Sequence, residues 1–128
     1  MINHICDIGI ARQIGTYSDA MLAPANARWL FTAGTPGLSG DGKVPDDITG
    51  QAEFAWTHIL ALLTQADMSL HDVVKVTQYL RREADIAAYA RVRARFLGGA
   101  RPASMLMVVA GLVRPEFLLE IEVCAAKA

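Results

Sequence analysis

The stretch from Arg101 to Lys127 constrains the fold more tightly than any other. It opens Arg101-Pro102-Ala103-Ser104 and runs into an apolar segment from Met105 to Val113. Leu106, Val108, Ala110 and Leu112 occupy one parity, and Met105, Met107, Val109 and Val113 the other. Side chains alternate across a strand, so a run that is apolar at both parities predicts a strand covered on both faces. After a turn at Arg114-Pro115-Glu116, Leu119, Ile121 and Val123 alternate with Glu120 and Glu122. This predicts a second strand with one apolar face and one face carrying carboxylates.

The preceding chain supplies the partners. Residues 1–23 are loosely patterned, with short strands expected near Ile8–Arg12 and Ser18–Leu22. Pro24-Ala25-Asn26-Ala27 is a turn, and Arg28–Ala33, with Trp29, Leu30 and Phe31, reads as a strand. Gly34 to Pro45 is rich in glycine and proline and reads as a loop. Asp46 or Asp47 can cap a helix running to about Ala66, whose apolar stripe is Ala52, Ala55, Trp56, Ile59, Leu60 and Leu63. Val73–Leu80 is the next strand, with Val74, Val76 and Leu80 on one face. A second helix follows from about Ala84 to Leu97 and ends at Gly98-Gly99.

Strands, helix, strand, helix and two strands predict an α+β domain over residues 1–128. It has a single mixed sheet and both helices on one face. The other sheet face is left without cover by this chain, and self-association is the simplest way to bury it.

Composition narrows the function. The chain is 53% apolar with a net charge of −1, which fits neither a disordered segment nor a nucleic-acid polyelectrolyte. No basic run with interleaved aromatics is present, which argues against nucleic acid as partner. No apolar stretch approaches the roughly 20 residues of a membrane span, and the N-terminus has no signal-peptide pattern. Cys6 and Cys124 have neither metal-site nor redox-motif spacing, so free thiols in a cytoplasmic protein are expected. Phosphate loops, metal-ligand clusters and nucleophile motifs of recognisable spacing are absent, so no metal and no cofactor are expected.

Four segments, in order, resemble the Rid (YjgF-type) family of reactive-intermediate deaminases. Ile14-Gly15-Thr16-Tyr17-Ser18-Asp19-Ala20 resembles the family's Ile-Gly-Pro-Tyr-Ser-Gln-Ala, and Phe31-Thr32-Ala33-Gly34-Thr35 its Phe-Val-Ser-Gly-Gln. Asp72-Val73-Val74-Lys75-Val76-Thr77 resembles Asp-Val-Val-Lys-Thr-Thr. The last segment joins Pro102-Ala103, an apolar strand, a proline turn and Glu120-Ile121-Glu122. The resemblance implies a chorismate-mutase-like fold assembled as a homotrimer with clefts between subunits. It also implies hydrolysis of reactive enamines and imines to a carbonyl compound and ammonia. A non-catalytic or regulatory small-molecule-binding trimer of the same fold is the alternative. The ribonuclease activity sometimes attached to the family finds no acid–base motif here.

Candidate site residues come from both sources. Periodicity alone singles out Arg93, which falls among Ile86, Tyr89, Phe96 and Leu97 while Arg91 and Arg95 point away. A guanidinium on an apolar stripe is either paired in place or an anion receptor in a wet cleft. Ser104 stands where the deaminating branch carries the arginine that grips the substrate carboxylate, and Leu106 where it often has cysteine. Arg101 precedes Pro102 and has the opposite strand parity to Ser104, so it is no simple substitute. Glu120 matches the family glutamate that sits by the cleft and can orient or deprotonate water. Tyr17 offers a hydroxyl to the cleft or simply packs. Gly34 and Thr35 match a loop that brings backbone groups to the ligand, although a plain turn also explains Gly34. His58 lies off the apolar stripe of its helix and is expected at the surface.

Overall fold

The computed structural model describes residues 2–128. Its core is a five-stranded sheet ordered β3-β7-β5-β6, with β4 also paired to β7. These strands are β3 (Arg28–Phe31), β4 (Thr35–Pro36), β5 (Val73–Leu80), β6 (Ala103–Val108) and β7 (Leu119–Lys127). Two short strands, β1 (His4–Cys6) and β2 (Ala20–Leu22), form a separate antiparallel hairpin. Helices α1 (Ile48–Gln65) and α2 (Ile86–Leu97) cover one sheet face, as the alternation of elements predicts. All pairings in the large sheet are antiparallel except β5 with β6, which α2 joins as a crossover.

The start of α1 and the end of α2 each have a local cause. Asp47 is extended and accepts a hydrogen bond from the Gly50 N–H at 3.0 Å, capping α1. Gly98 closes α2 at φ +56°, a conformation that a Cβ disfavours. Ala52, Ala55, Trp56, Ile59 and Leu63 of α1 are all fully buried against Val76, Leu80, Leu119, Ile121 and Val123 of the sheet. Leu60, at the edge of the stripe, is half-buried. Burying each large apolar side chain contributes on the order of 1.5–3 kcal/mol, so this helix–sheet seam is the main source of stability.

One polar residue lies inside that seam. Gln51 is fully buried and donates to Pro45 O (2.8 Å) and Glu116 O (2.9 Å), while its Oε1 accepts from the Leu118 N–H at 2.8 Å. It therefore ties the start of α1 to the loop before it and to the turn before β7. Gln51→Leu strands two carbonyls and one N–H in the core. A loss of about 2–4 kcal/mol is expected in urea unfolding, with the m value unchanged. A loss below 1 kcal/mol would show that water replaces the amide there.

Three expectations need correction. The Ile8–Arg12 segment is not a strand: Ala11–Gln13 is a 3-10 turn. Its backbone is held by Asp19, which accepts from the Ile8 and Ala11 N–H groups at 2.8 Å each. Those donors, Ile8 first, hold the Asp19 carboxyl below its ordinary range. The Gly34–Pro45 segment is not wholly loop, because Thr35–Pro36 pairs with Ile121 and Glu120. The apolar run does not stay in the sheet to Val113. β6 ends at Val108 because its partner β5 ends at Leu80, and Val113 is exposed. The open sheet face is left without cover by this chain, as expected, with Met105 and Met107 of β6 exposed on it.

Candidate functional site

Strand register decides which candidates can meet. Side chains of paired residues share a face. Gln78 pairs with Leu106 on one side and Ile121 on the other, and Val76 with Ser104 and Val123. These residues face the helices. Tyr79 pairs with Met107 and Glu120, and Thr77 with Met105 and Glu122, all on the open face. Ser104 and Leu106 therefore lie on the opposite side of the sheet from Glu120, with β5 as the wall between them.

On the helix side, Tyr17, Arg93, Ser104 and Leu106 come together. They line a cleft of about 400 Å³ at the β6 edge, together with Ile14, Ile86 and Met105. Arg93 reaches it because the buried centre of α2 is Tyr89 and Val92 rather than Arg93 itself. The arginine sits one step round, half-buried, with its guanidinium 5.5 Å from the centre of the Tyr89 ring. Arg91 and Arg95 are exposed as expected, and Arg95 pairs with Glu53 at 2.8 Å.

Gln78 holds this corner together, and sequence reasoning passed over it. It is fully buried, and its Oε1 accepts from Tyr89 Oη (2.6 Å) and Arg93 Nη1 (2.9 Å). Its Nε2 donates to Ser104 Oγ (3.0 Å) and Met105 O (2.9 Å). The signal was available: Gln78 has the same parity as Val76 and Leu80, a polar residue in the phase of the core. Burial pushes the Tyr89 phenol well above its ordinary range, so its O–H remains a donor at any ordinary pH.

Arg101 has a different task. Its Nη2 pairs with Asp7 Oδ2 at 3.2 Å and its Nε donates to Thr16 O at 3.1 Å. The next segment is also fastened, since the Ser18 N–H donates to Pro102 O at 3.2 Å. Arg101 thus fixes the 16–18 backbone beside Ser104 and places Tyr17 at the cleft. It does not enter the cleft as a carboxylate grip.

On the open face, Glu120 is half-buried and lies against Gly34, where an added Cβ would come within 2.8 Å of Glu120 Oε1. Gly34 is thus a close-approach position that lets the carboxylate fold over the β4 turn. Thr35 pairs with Ile121, which puts its side chain on the side away from Glu120, and its hydroxyl donates to Ala33 O at 3.2 Å. Glu122 accepts from Tyr79 Oη at 3.0 Å, and that bond to the carboxylate raises the phenol's pKa. Around these carboxylates stand Trp29, Phe31, Met105 and Met107, all exposed and apolar, with Trp29 and Phe31 stacked 6.0 Å apart. His58 Nε2 donates to Leu38 O at 2.6 Å, and its ring stacks on Phe54, away from both groups.

Known proteins share this fold. The family model described as endoribonuclease L-PSP matches residues 10–127. A RutC family protein of Pyrococcus horikoshii is 37% identical over 120 residues, covering 91% of this chain and 90% of that one. A conserved Rid-family protein of unknown function from Yersinia pestis superposes with a TM-score of 0.83 at 25% identity, covering 99% of this chain and 100% of the other. RidA from an Antarctic Psychrobacter gives a TM-score of 0.72 at 29% identity, over 88% of this chain and 89% of that one.

Proposed function

The chain belongs to the Rid (YjgF, endoribonuclease L-PSP) family, and on that premise we propose that it hydrolyses a reactive imine or enamine at clefts between subunits of a homotrimer. The observation that carries the reading is the split of the candidates across the sheet. Glu120 and Gly34 lie on the open face, while Tyr17, Arg93, Ser104 and Leu106 line a cleft on the other. One chain cannot bring them together. Laying the open face of one subunit against the β6 edge of the next joins the two halves. The same contact covers Trp29, Phe31, Met105 and Met107, an apolar patch that a soluble monomer would leave wet.

The chemistry requires little of the protein. Water adds to the electrophilic C=N carbon, its proton passes to nitrogen, and the resulting carbinolamine collapses to a carbonyl compound and ammonia. Glu120 orients the water and accepts its proton. Arg93 holds the substrate carboxylate from α2, in place of the arginine missing at Ser104, and Tyr17 and Ser104 add hydroxyls. Holding substrate and water together supplies much of the acceleration.

A second reading, a small-molecule-binding trimer without turnover, is favoured by one observation. Ser104 occupies the usual arginine position, and its Oγ is bonded to Gln78. Release of pyruvate and ammonia from freshly generated 2-aminoacrylate separates the two readings. The wild type is expected to accelerate hydrolysis, with Arg93→Ala reducing kcat/KM by about 10- to 100-fold, the worth of a charge-assisted bond. An inert wild type that gains activity in Ser104→Arg would instead establish the binding reading. Full activity in Arg93→Ala would remove Arg93 from the site.

A further inference from the structure

We propose that Gln78 is a positioning residue that aims the Arg93 guanidinium into the cleft between α2 and β6, and that this cleft takes a carboxylate bearing a branched or aromatic apolar tail. The inference rests on the cleft location given above and needs no hydrolytic step.

Gln78 carries the first half. A buried amide is costly unless its groups are paired, and here both ends are engaged, each with two partners. Its orientation is fixed by chemistry. Arg93 can only donate and the Met105 carbonyl can only accept, so the amide oxygen must face α2 and the nitrogen must face β6. Two results follow. The arginine is held by Gln78 Oε1 at one nitrogen and by the Tyr89 ring beneath it, leaving its other N–H groups for a ligand. Ser104 accepts from Gln78, which leaves its own O–H to donate.

Charge carries the second half. Among the described residues, none of the ion pairs includes Arg93. Gln78, Tyr89 and Ser104 are neutral, so the corner keeps one uncompensated positive charge at a cleft wall. A glutamate at position 78 would have neutralised it. A single planar guanidinium beside one hydroxyl matches a monoanionic carboxylate, whereas a phosphate dianion asks for more donors. The remaining apolar side-chain wall on the helix side is Ile14, Ile86 and Leu106, and the volume of about 400 Å³ exceeds what a three-carbon acid fills. The unused apolar wall calls for a tail.

Titration calorimetry of the intact protein tests this with three probes: 4-methyl-2-oxopentanoate, pyruvate and the neutral 4-methyl-2-pentanone. The branched acid should bind roughly tenfold or more tightly than pyruvate, given about 0.8 kcal/mol per buried methylene. Arg93→Ala and Gln78→Leu should each weaken the branched acid about 10- to 100-fold and leave the neutral ketone unchanged. The double variant should lose no more than Arg93→Ala alone. Gln78→Glu preserves the volume of the side chain and pairs the cation internally, so it too should lose the acid and keep the ketone. Equal loss of acid and ketone, additive loss in the double variant, or pyruvate binding as tightly as the branched acid would each overturn the proposal. Binding without turnover leaves this inference standing and removes the hydrolase reading. Turnover with affinity indifferent to Arg93 and Gln78 does the reverse.

Discussion

Gly37→Ala is expected to destabilise the domain by about 3–5 kcal/mol, among the largest effects available to a single methyl group. Gly37 is buried just after β4, where the chain crosses the first turns of α1. A Cβ there would lie 2.0 Å from Gln51 O and 2.5 Å from the Gln51 carbonyl carbon and Cα. Those are backbone atoms of a helix whose other face fills the core, so no side-chain rotation relieves the overlap. Either α1 or β4 must move, and β4 carries the turn against which Glu120 rests. The midpoint of thermal unfolding should fall by roughly 10–20 °C. Gly40→Ala is the matched control: nothing lies within 4 Å of its added Cβ, and a change within about 0.5 kcal/mol is expected. A Gly37→Ala protein that melts with the wild type would show that residues 35–38 shift freely over α1.

Glu120→Gln should reduce kcat for imine hydrolysis by about 10²- to 10⁴-fold with little change in stability. The amide keeps the shape of the side chain and its place against Gly34, but it cannot take a proton from water. Glu122 supplies the contrast. It accepts from Tyr79 Oη, so its carboxylate is already committed, and Glu122→Gln should leave kcat within a few-fold of wild type. Single-turnover release of ammonia from a pulse of imino acid measures the chemical step directly. Equal losses in the two variants would point to the summed negative charge of the open face rather than to a base at Glu120.

Much of this was legible in the chain. The limits of α1 followed from Asp47 and the spacing of Ala52, Ala55, Trp56, Ile59 and Leu63. Val73–Leu80 matched β5 at both ends, because a short alternating segment bounded by turn residues has few other ways to fold. The place of Arg93 at the edge of the buried side of α2 followed from phase alone. What escaped depended on partners distant in sequence. Residues 4–22 form a three-residue hairpin and one bridge from Ser18 to Ala103, both too short for alternation to register. β6 stops where β5 stops, and no property of Val109–Val113 announces that. β7 continues past Val123 through Cys124, Ala125 and Ala126 because β3 pairs alongside, whereas small side chains give little pattern. Gln51 and Gln78 were missed for a different reason. Each is polar at a core phase, and pattern reading treats such a residue as noise, whereas burial makes it an organising centre. The division of the site residues between two faces also required register, which a single strand's sequence does not contain.

The wall formed by β5 makes closeness along the chain a poor guide to which residues act together. Gln78 and Tyr79 are joined by a peptide bond, yet Gln78 serves Arg93 and Ser104 while Tyr79 serves Glu122 across the sheet. Neighbours on this strand belong to separate compartments, and residues 26 positions apart belong to the same one. The side-chain hydrogen bonds of Gln78 and Tyr79 have no partner in common. One compartment can be recut for a new ligand while the other keeps its carboxylates, which gives a small domain two nearly separable surfaces on one eight-residue strand.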